Sequence, residues 1–362
     1  MSDEFLDFQR NVRDREVWNE IVDKSIEGWF WATNSMHEFR IACYQAAGRL
    51  VEDRSFVFLR DGRPCGLVPL AIGRDDCNGD LMASYLDAPL PWPMVVSDVD
   101  DRRGIQRLLF SELERRVNES NATVLRLVLA PPGVGSDLSE YFGQVVREGA
   151  FVDASYSSHW VDVTPGALNL VRERYRRDVR KGLRSYQIEI WSSGNLPVSI
   201  AEMYMQLHVK DAGRVTRPIS TYEKQVDLVR NGEGFWVAAR NLATDRIVGM
   251  LLISLHKGAA YDASVAVDPD FERDNVSHMM KWRAIEYLLE MGVSHYELGS
   301  VAFTPTYFSQ PGKKNYGISF FKDGWSRGNM KTVRVAEKFY SRDTFNRFWS
   351  RKAEALYAHF SI

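Results

Sequence analysis

The chain has 362 residues, of which 45% are hydrophobic and 26% are charged. Both fractions are close to the averages of soluble globular proteins, which excludes a largely disordered or fibrous protein. Lysine and arginine total 46 against 48 aspartates and glutamates, and the net charge of −2 argues against a general nucleic-acid binder with a basic surface. The length favours two domains, at roughly 150 residues per domain.

The N-terminal residues are acidic and interrupted by charges, so they lack the basic and apolar regions of a secretory signal. The longest apolar run, residues 247–253, is far shorter than the about 20 residues that span a bilayer. The three cysteines include no Cys-x-x-Cys pair, and an odd number gives no complete disulfide framework. We therefore expect a cytoplasmic protein with reduced thiols and no membrane span.

The first half of the chain has the pattern of a β-meander followed by a helix and a strand. The dipeptide Asp61-Gly62 lies between two apolar runs and is typical of a tight hairpin turn. The hairpin strands, a third strand, an amphipathic helix and a fourth strand are predicted at residues 55–60, 65–72, 81–86, 103–118 and 123–129.

The same order of elements recurs roughly 180 residues later in the chain. Three strands, a helix and a further strand are predicted at residues 234–240, 246–253, 258–265, 275–290 and 294–298. The recurrence predicts one α/β architecture with a mixed sheet that is used twice, although the two sequences are not visibly repeated. We place the boundary near residue 150, which gives domains of residues 1–150 and 151–362.

Several reaction classes lack their motifs. The chain has no Gly-x-x-x-x-Gly-Lys-Ser/Thr loop, no Gly-x-Gly-x-x-Gly after a strand, no Gly-x-Ser-x-Gly and no His-Glu-x-x-His. The seven histidines are scattered singly. ATP hydrolysis, redox chemistry, serine hydrolysis and a metal site are therefore not indicated.

Residues 172–184 carry six arginines and one lysine against two acidic residues. The planar guanidinium group suits phosphate oxygens, so this local excess of positive charge indicates an anion site. Arg176, Arg177 and Arg180 are the candidate diphosphate contacts. The alternative is a solvated helix that covers part of the second domain.

Residues 267–277 lead from a predicted strand into a predicted helix, with Asn275 as the predicted N-cap. Free N–H groups at a helix N-terminus can bind a pyrophosphate. The alternative is an ordinary strand-to-helix connection.

A single lysine, Lys322, stands among Phe320, Phe321 and Trp325, after the strand-like segment 296–300. A cation in a partly dry site can stabilise a developing oxyanion or hold a phosphate. The alternative is a lysine whose stem packs over aromatic side chains.

These segments together resemble a known family. The basic segment, the strands around residues 247–252, the helix that contains Lys281-Trp-Arg-Ala-Ile-Glu, and Tyr-Glu-Leu-Gly-Ser followed by Phe-Phe-Lys-Asp-Gly-Trp resemble the Fem-type peptidyltransferases. That family is built from two tandem GNAT (general amine N-acetyltransferase) domains. The resemblance is best over residues 155–335. It implies a mixed α/β fold of two GNAT-like domains with a cleft between them, and transfer of an acyl group to an amine.

The resemblance also implies roles for individual residues. A Phe-Lys pair lies at the transfer site of the family and maps onto Phe321 and Lys322, while Trp325 stands where the family often has phenylalanine. We expect Lys322 near the oxyanion or a phosphate and Asp262 as a candidate base, with His208 or the substrate itself as alternatives for handling the proton. The other expected substrate contacts are Tyr85, Asp87, Tyr261, Phe321 and Trp325.

The donor is expected to be either an acyl-CoA thioester or an aminoacyl-tRNA. GNAT enzymes hold the pyrophosphate of acyl-CoA on an Arg-x-x-Gly-x-Gly/Ala loop, and the matching residues are Arg273, Asn275 and Ser277, without the glycine. The near-neutral charge gives little general attraction to tRNA, and the chain lacks the long helical arms of some tRNA-using members. These features favour acyl-CoA.

We therefore expect an N-acyltransferase that moves an acyl group from a coenzyme A thioester to the amine of a nucleotide-linked amino sugar in surface-polysaccharide synthesis, without a metal ion. One alternative is an aminoacyl-tRNA-dependent peptidyltransferase that acts on a cell-wall precursor. The other is a non-catalytic GNAT-like protein that binds a nucleotide sugar or a partner protein. The sugar, the acyl chain and the oligomeric state are left open.

Overall fold

A computed structural model describes residues 2–8, 12–75, 79–86, 88–131, 138–303 and 312–360. The chain divides into two compact units, each formed from separate segments. The first unit comprises Met1–Ser157, Ala302–Lys313 and Thr332–Ile362, and the second comprises Ser158–Val301 and Lys314–Lys331. Each unit has its own hydrophobic core.

The strands are short in the first half of the chain and longer in the second. In chain order they are β1 (Asp3–Asp7), β2 (Val51–Asp53), β3 (Phe56–Arg60), β4 (Arg63–Val68), β5 (Ala71–Arg74), β6 (Leu81–Ala83), β7 (Leu90–Pro91), β8 (Met94–Val95), β9 (Val124–Val128), β10 (Val152–Asp153), β11 (Tyr156–Asp162), β12 (Tyr186–Trp191), β13 (Gly234–Asn241), β14 (Arg246–His256), β15 (Ala259–Val267), β16 (His295–Ser300), β17 (Met330–Val333) and β18 (Val335–Phe339).

The helices cover the faces of the sheets. In chain order they are α1 (Val12–Lys24), α2 (Asn34–Ala46), α3 (Arg102–Glu119), α4 (Ser139–Glu148), α5 (Ala167–Leu170), α6 (Glu173–Gly182), α7 (Ile200–Ala212), α8 (Ile219–Arg230), α9 (Val276–Glu290), α10 (Lys313–Ser326) and α11 (Arg342–Phe360), with 3-10 turns at Phe30–Ala32 and Pro269–Asp274. Within the described ranges, none of these helices has the length and apolar character needed to cross a bilayer.

In the first unit, the described strands form a sheet of order β1-β3-β4-β8 and a sheet of order β10-β18-β9-β6-β5-β2, in which β7 also pairs with β9. The predicted hairpin is confirmed, since β3 and β4 join through Asp61 and Gly62, both at positive φ. The predicted strand at 65–72 is wrong in one respect, because β4 ends before Pro69 and β5 lies in the other sheet. Proline has no N–H to donate to a sheet ladder.

The second unit is built on one sheet of order β12-β13-β14-β15-β16-β11-β17. Strands β12 to β15 are antiparallel and β15 pairs with β16 in parallel, which confirms the predicted meander, helix and strand. Neighbouring residues of β13 belong to opposite cores: Val237 lies in the core that includes residues of α6 and α9, and Trp236 in the core that includes residues of α7 and α8. The period of two along a strand requires this alternation.

The observed division of the chain differs from the sequence-based boundary at residue 150 in the place of the C-terminal residues. The sequence predicts one domain over 151–362, whereas Thr332–Ile362 belongs to the first unit. The physical reason is strand pairing, because β18 lies between β10 and β9 and is antiparallel to both. Sequence order alone does not reveal such a long-range pairing.

A buried polar network joins α2 to the strands of the first unit. His37 is fully buried, with Nδ1 2.6 Å from the Tyr85 hydroxyl oxygen and Nε2 3.1 Å from Asp53 Oδ1. The Ser55 hydroxyl donates to Asp53 Oδ1 at 2.6 Å and accepts from the Leu70 N–H at 2.9 Å. Burial alone would raise the pKa of Asp53, but His37 and Ser55 outweigh it and hold that pKa well below its ordinary range.

The substitution Asp53→Asn should lower the free energy of unfolding by about 1–3 kcal/mol at neutral pH, because it removes a buried charged acceptor. The depressed folded-state pKa makes the stabilisation fully present above the unfolded-state pKa of about 4, and it is lost as the pH falls through the folded-state pKa. In denaturant unfolding, the difference in the free energy of unfolding between wild type and Asp53→Asn should therefore become smaller below pH ~4. An equal difference at all pH values would contradict this, and the exposed control Asp100→Asn should have no effect.

Candidate functional site in the second unit

The parallel pairing of β15 with β16 is short. It joins residues 259–261 to residues 295–297 and then stops. Beyond this point β15 continues to Val267 beside β14, and β16 continues to Ser300 beside β11. The two strands therefore part after Tyr261 and Glu297, and side chains from α9 and α10 reach this point.

Lys322 of α10 brings its ammonium group to the parting strands. A Cβ built on Gly299 would lie 2.9 Å from Lys322 Nζ and 3.9 Å from the Tyr261 hydroxyl oxygen. Gly299 also has a φ of +93°, which side chains rarely allow, so glycine is required here for two reasons. In the described part of the chain, the Lys322 ammonium makes no hydrogen bond.

Charges around Lys322 act in both directions. Burial lowers the pKa of Lys322, and the positive charge of Lys281 lowers it further. The carboxylates of Asp262 and Glu297 oppose this effect. The ammonium therefore lies within the field of two carboxylates and a second cation.

Asp262 is held in an ion pair with Lys281 of α9. The side chains of Lys281 and Asp262 are only 5% and 10% exposed, and the Lys281 ammonium also lies 3.3 Å from the Tyr296 hydroxyl oxygen. The Asp262 carboxylate is therefore engaged by a neighbouring ammonium, and its expected role as the base stays a prediction.

Glu297 is a second buried carboxylate at the parting strands, and the sequence reasoning did not select it. Its exposure is 1%, and the Ser158 hydroxyl donates to Oε1 at 2.7 Å. No hydrogen-bond partner of Oε2 occurs among the described residues. Burial raises the pKa of Glu297 to about 7, against the opposing effects of Ser158 and Lys322. An acidic residue in the middle of the apolar segment 296–298 is the signal that could have identified it.

His159 lies on β11 beside this group and is fully buried. Its Nδ1 is 3.0 Å from the Ser326 hydroxyl oxygen. Burial and the positive charge of Lys322 lower the pKa of His159 to about 4, against the opposing effect of Asp323. The imidazole is therefore neutral at physiological pH.

The expected aromatic contacts belong largely to the core. Trp325 is 2% exposed, and the Tyr175 ring of α6 lies 5.8 Å from Trp325 and from Phe321, between ring centroids. A Cβ built on Gly324 would lie 2.1 Å from the Tyr175 ring, so α10 and α6 are in close contact at this residue. Trp325 therefore packs in the core, whereas Phe321 is only partly buried, and their expected substrate contacts stay predictions.

A cavity of about 330 Å³ lies at the N-terminal ends of α6 and α9. Arg172 stacks over the Phe320 ring, 4.3 Å from its centroid, and pairs with Asp323 at 3.1 Å. Guanidinium groups and a helix N-terminus are together suited to bind an anion. The lining residues are Arg172, Arg174, Tyr175, Asp178, Asn275, His278 and Phe320.

The three arginines expected as diphosphate contacts do not line this cavity. Arg177 and Arg180 are exposed, and Arg180 Nε donates to the Arg176 carbonyl oxygen at 3.3 Å. Tyr175 and Val179, four residues apart, form the buried face of α6. The arginines of the cavity come instead from the start of the basic segment.

Of the three residues expected to hold the pyrophosphate of acyl-CoA, the cavity lining includes only Asn275. Asn275 has a φ of +58°, a left-handed conformation that asparagine tolerates better than most residues. Arg273 is exposed, Ser277 is partly buried, and the preceding turn is acidic, with Asp270, Glu272 and Asp274. This acidity disfavours an anion on the turn itself.

The remaining expected residues lie elsewhere. Tyr85 is 2% exposed within the His37 network of the first unit, and its expected substrate contact stays a prediction. Asp87 lies outside the described residues. His208 contacts Thr216 and the Tyr204 ring, not the group around Lys322.

Part of the chain matches a known family of protein domains. Residues 170–309 match the family model described as an acetyltransferase (GNAT) domain. A comparison with curated proteins gives no match. The matched residues include the parting strands, Asp262, Lys281 and Glu297, whereas Lys322 follows them.

Solved structures show the fold of the whole chain. FemX is similar with a TM-score of 0.67 and 13% identity, over 96% of this chain and 99% of that one. A tandem GNAT protein from the clavulanic acid biosynthesis pathway gives a TM-score of 0.52 and 15% identity, over 94% and 99%. The C-terminal domain of a putative lysylphosphatidylglycerol synthetase from Agrobacterium fabrum gives 0.57 and 12%, over 94% and 95%.

The substitution Gly299→Ala should destabilise the protein by about 1 kcal/mol or more, because alanine is strained at this φ and its Cβ would displace the Lys322 ammonium. Denaturant unfolding measures this change. The control Gly312→Ala, where a Cβ would meet no atom and φ is not positive, should not destabilise the protein. Equal effects of the two substitutions would contradict the requirement for glycine at residue 299.

The predicted mixed α/β fold is confirmed by the sheet of the second unit and by the similarity of the whole chain to tandem GNAT proteins. The predicted resemblance is confirmed as well. Residues 170–309 thus match a GNAT acetyltransferase domain, and the whole chain has a fold similar to that of FemX and of a tandem GNAT protein.

Proposed function

We propose that this protein is an N-acyltransferase that moves an acyl group from a coenzyme A thioester to the amine of a nucleotide-linked amino sugar. The observation that carries the proposal is the Lys322 ammonium beside Gly299, half-buried and without a hydrogen-bond partner in the described residues, where β15 and β16 part. A preorganised cation in a water-poor site is suited to stabilise an oxyanion.

The reaction forms a C–N bond and breaks a C–S bond. The acceptor nitrogen attacks the thioester carbonyl carbon, and the electrons of the C=O bond move to the oxygen. Lys322 donates a hydrogen bond to this oxyanion, and the nearby Asp262 and Glu297 favour the charged form of the ammonium, opposing the effect of burial on its pKa. When the tetrahedral adduct collapses, the C–S bond breaks and the thiolate leaves. The ammonium form of the acceptor loses two protons in all, of which one goes to a base and the other to the thiolate.

The cavity at α6 and α9 supports a phosphate-bearing substrate. Its volume of about 330 Å³ is at the lower end of the range for ligand pockets, roughly 300–1,000 Å³, and suits a diphosphate better than a whole nucleotide. Arg172 and Arg174 supply the donors, and Asn275 marks the N-terminus of α9. The cavity shares α10 with Lys322, since Phe320 lines it.

The exposed face of α6 favours a second candidate donor, an aminoacyl-tRNA. Arg177, Arg180 and Lys181 are exposed, and cations along one helix suit the phosphates of a nucleic-acid backbone. With this donor Lys322 would keep its role, and the leaving group would be a ribose hydroxyl. The two donors differ in salt dependence, which is steep for binding through many phosphates.

The substitution Lys322→Ala should lower kcat by about 10²–10³-fold, the usual effect of removing one oxyanion donor. The measurement is mass spectrometry of products from acetyl-coenzyme A and a panel of nucleotide-linked amino sugars with free amines. Lys314→Ala, an exposed lysine of the same helix, is the matched control and should keep the wild-type rate. Full turnover by Lys322→Ala would contradict the role of this cation.

The same assay separates the candidate functions. Turnover that requires acetyl-coenzyme A and survives ribonuclease excludes the tRNA donor. Turnover only with aminoacyl-tRNA, abolished by ribonuclease, excludes the thioester donor. Binding of an amino-sugar nucleotide without turnover with either donor would show a binding protein and contradict the proposed activity.

A further inference from the structure

We propose that Glu297 is the catalytic base that accepts the proton of the acceptor amine. The inference rests on the proposed function, acyl transfer to an amine, and names the residue that handles the proton. The place of Glu297 in the sheet, its open carboxylate oxygen and the engagement of the neighbouring groups each support this role.

Glu297 occupies the last paired position before the strands part. It pairs with Tyr261 of β15 on one side and with Trp160 of β11 on the other. The pairing of β16 with β11 is irregular immediately afterwards, and Gly299, beside which the Lys322 ammonium lies, pairs with His159. The Glu297 carboxylate and the Lys322 ammonium, which lies beside Gly299, are therefore at the same opening of the sheet.

Glu297 and Lys322 have complementary hydrogen-bonding groups without partners. Glu297 Oε2 is a buried acceptor with no donor among the described residues, and the Lys322 ammonium is a donor with no acceptor there. A buried polar atom without a partner costs about 1–3 kcal/mol, so such atoms in a folded protein call for an explanation. Attack of an amine on a carbonyl supplies both partners: the amine N–H for Glu297 and the carbonyl oxygen for Lys322.

The other titratable groups at the site are already engaged. Asp262 is paired with Lys281, and His159 contacts Ser326 and is a weak base, with a pKa of about 4. Asp323 pairs with Arg172 at 3.1 Å. Glu297, with a pKa of about 7, is half ionised at neutral pH, which suits a general base.

The proton and electron balance is complete. The ammonium form of the acceptor loses one proton to Glu297 Oε2, and the free electron pair of the nitrogen forms the C–N bond. The second N–H proton neutralises the leaving thiolate as the C–S bond breaks. Glu297 then releases its proton to solvent and is ready for the next turnover.

The test compares the pH dependence of kcat/KM for wild type, Glu297→Gln and Ser158→Ala, with acetyl-coenzyme A and the best amino-sugar nucleotide, or with aminoacyl-tRNA if that is the donor. Wild type should rise through a pH of about 7. Glu297→Gln should lose about 10²–10⁴-fold in rate together with that rise. Ser158→Ala should move the rise to higher pH, because the hydrogen bond from Ser158 lowers the pKa of Glu297. Glu290→Gln, exposed at the end of α9, is the matched control and should change neither quantity.

The outcomes separate this inference from the proposed function. An active wild type whose rate and pH profile are unchanged in Glu297→Gln would overturn the role of Glu297 and leave the acyltransferase activity intact. A wild type without turnover on either donor would overturn the activity, and with it the base. If Glu297→Gln does not fold, as judged by thermal unfolding, Ser158→Ala decides: an unmoved pH profile overturns the inference and an upward shift supports it.

Discussion

The short parallel pairing of β15 with β16 is the constraint on which the rest of the second unit depends. The two strands pair only as far as residues 261 and 297, and each then continues beside its other neighbour, β14 or β11. Past that point β15 has a strand partner on only one side among the described residues. Polar backbone edges and side chains that would be costly in a closed sheet can then face a substrate. The sheet provides the rigid support, and α9 and α10 each add one lysine to the opening.

The four charged groups at the opening form two pairs of opposite charge, of which one is in direct contact and the other is not. Lys281 and Asp262 satisfy each other, and breaking such a buried pair is strongly unfavourable. Lys322 and Glu297 interact through space but make no direct hydrogen bond with each other. The first pair is in direct contact, whereas Glu297 Oε2 and the Lys322 ammonium have no hydrogen-bond partner among the described residues. Each of these ionisable groups has an opposite charge nearby, which explains why their burial is tolerated here.

The strands β13 to β15, helix α9 and the lysine of α10 are predictable because they follow from periodicity and from a short motif. The pairs that build the site are not, because Ser158 and Glu297 are 139 residues apart and meet only through the β11–β16 ladder. Arg172 and Arg176 look equivalent in a charge-rich segment, and only the packing of Tyr175 separates them. Burial likewise distinguishes Glu297 from the exposed glutamates, and its place at the parting strands distinguishes it from the buried Glu27 and Glu337. Tertiary contacts therefore decide the chemistry that local patterns leave open.

Strand β18 carries a consequence for synthesis of the protein. It lies between β10 and β9, yet it follows the second unit in the chain. On a ribosome, the first unit cannot complete its larger sheet until residue 339 has emerged, by which time all segments of the second unit have been made. Until then the edge of β9 lacks a partner and is open to pairing with other chains. The first unit therefore cannot finish folding before the second unit has been synthesised. Its assembly must wait for β18, the last strand of the chain.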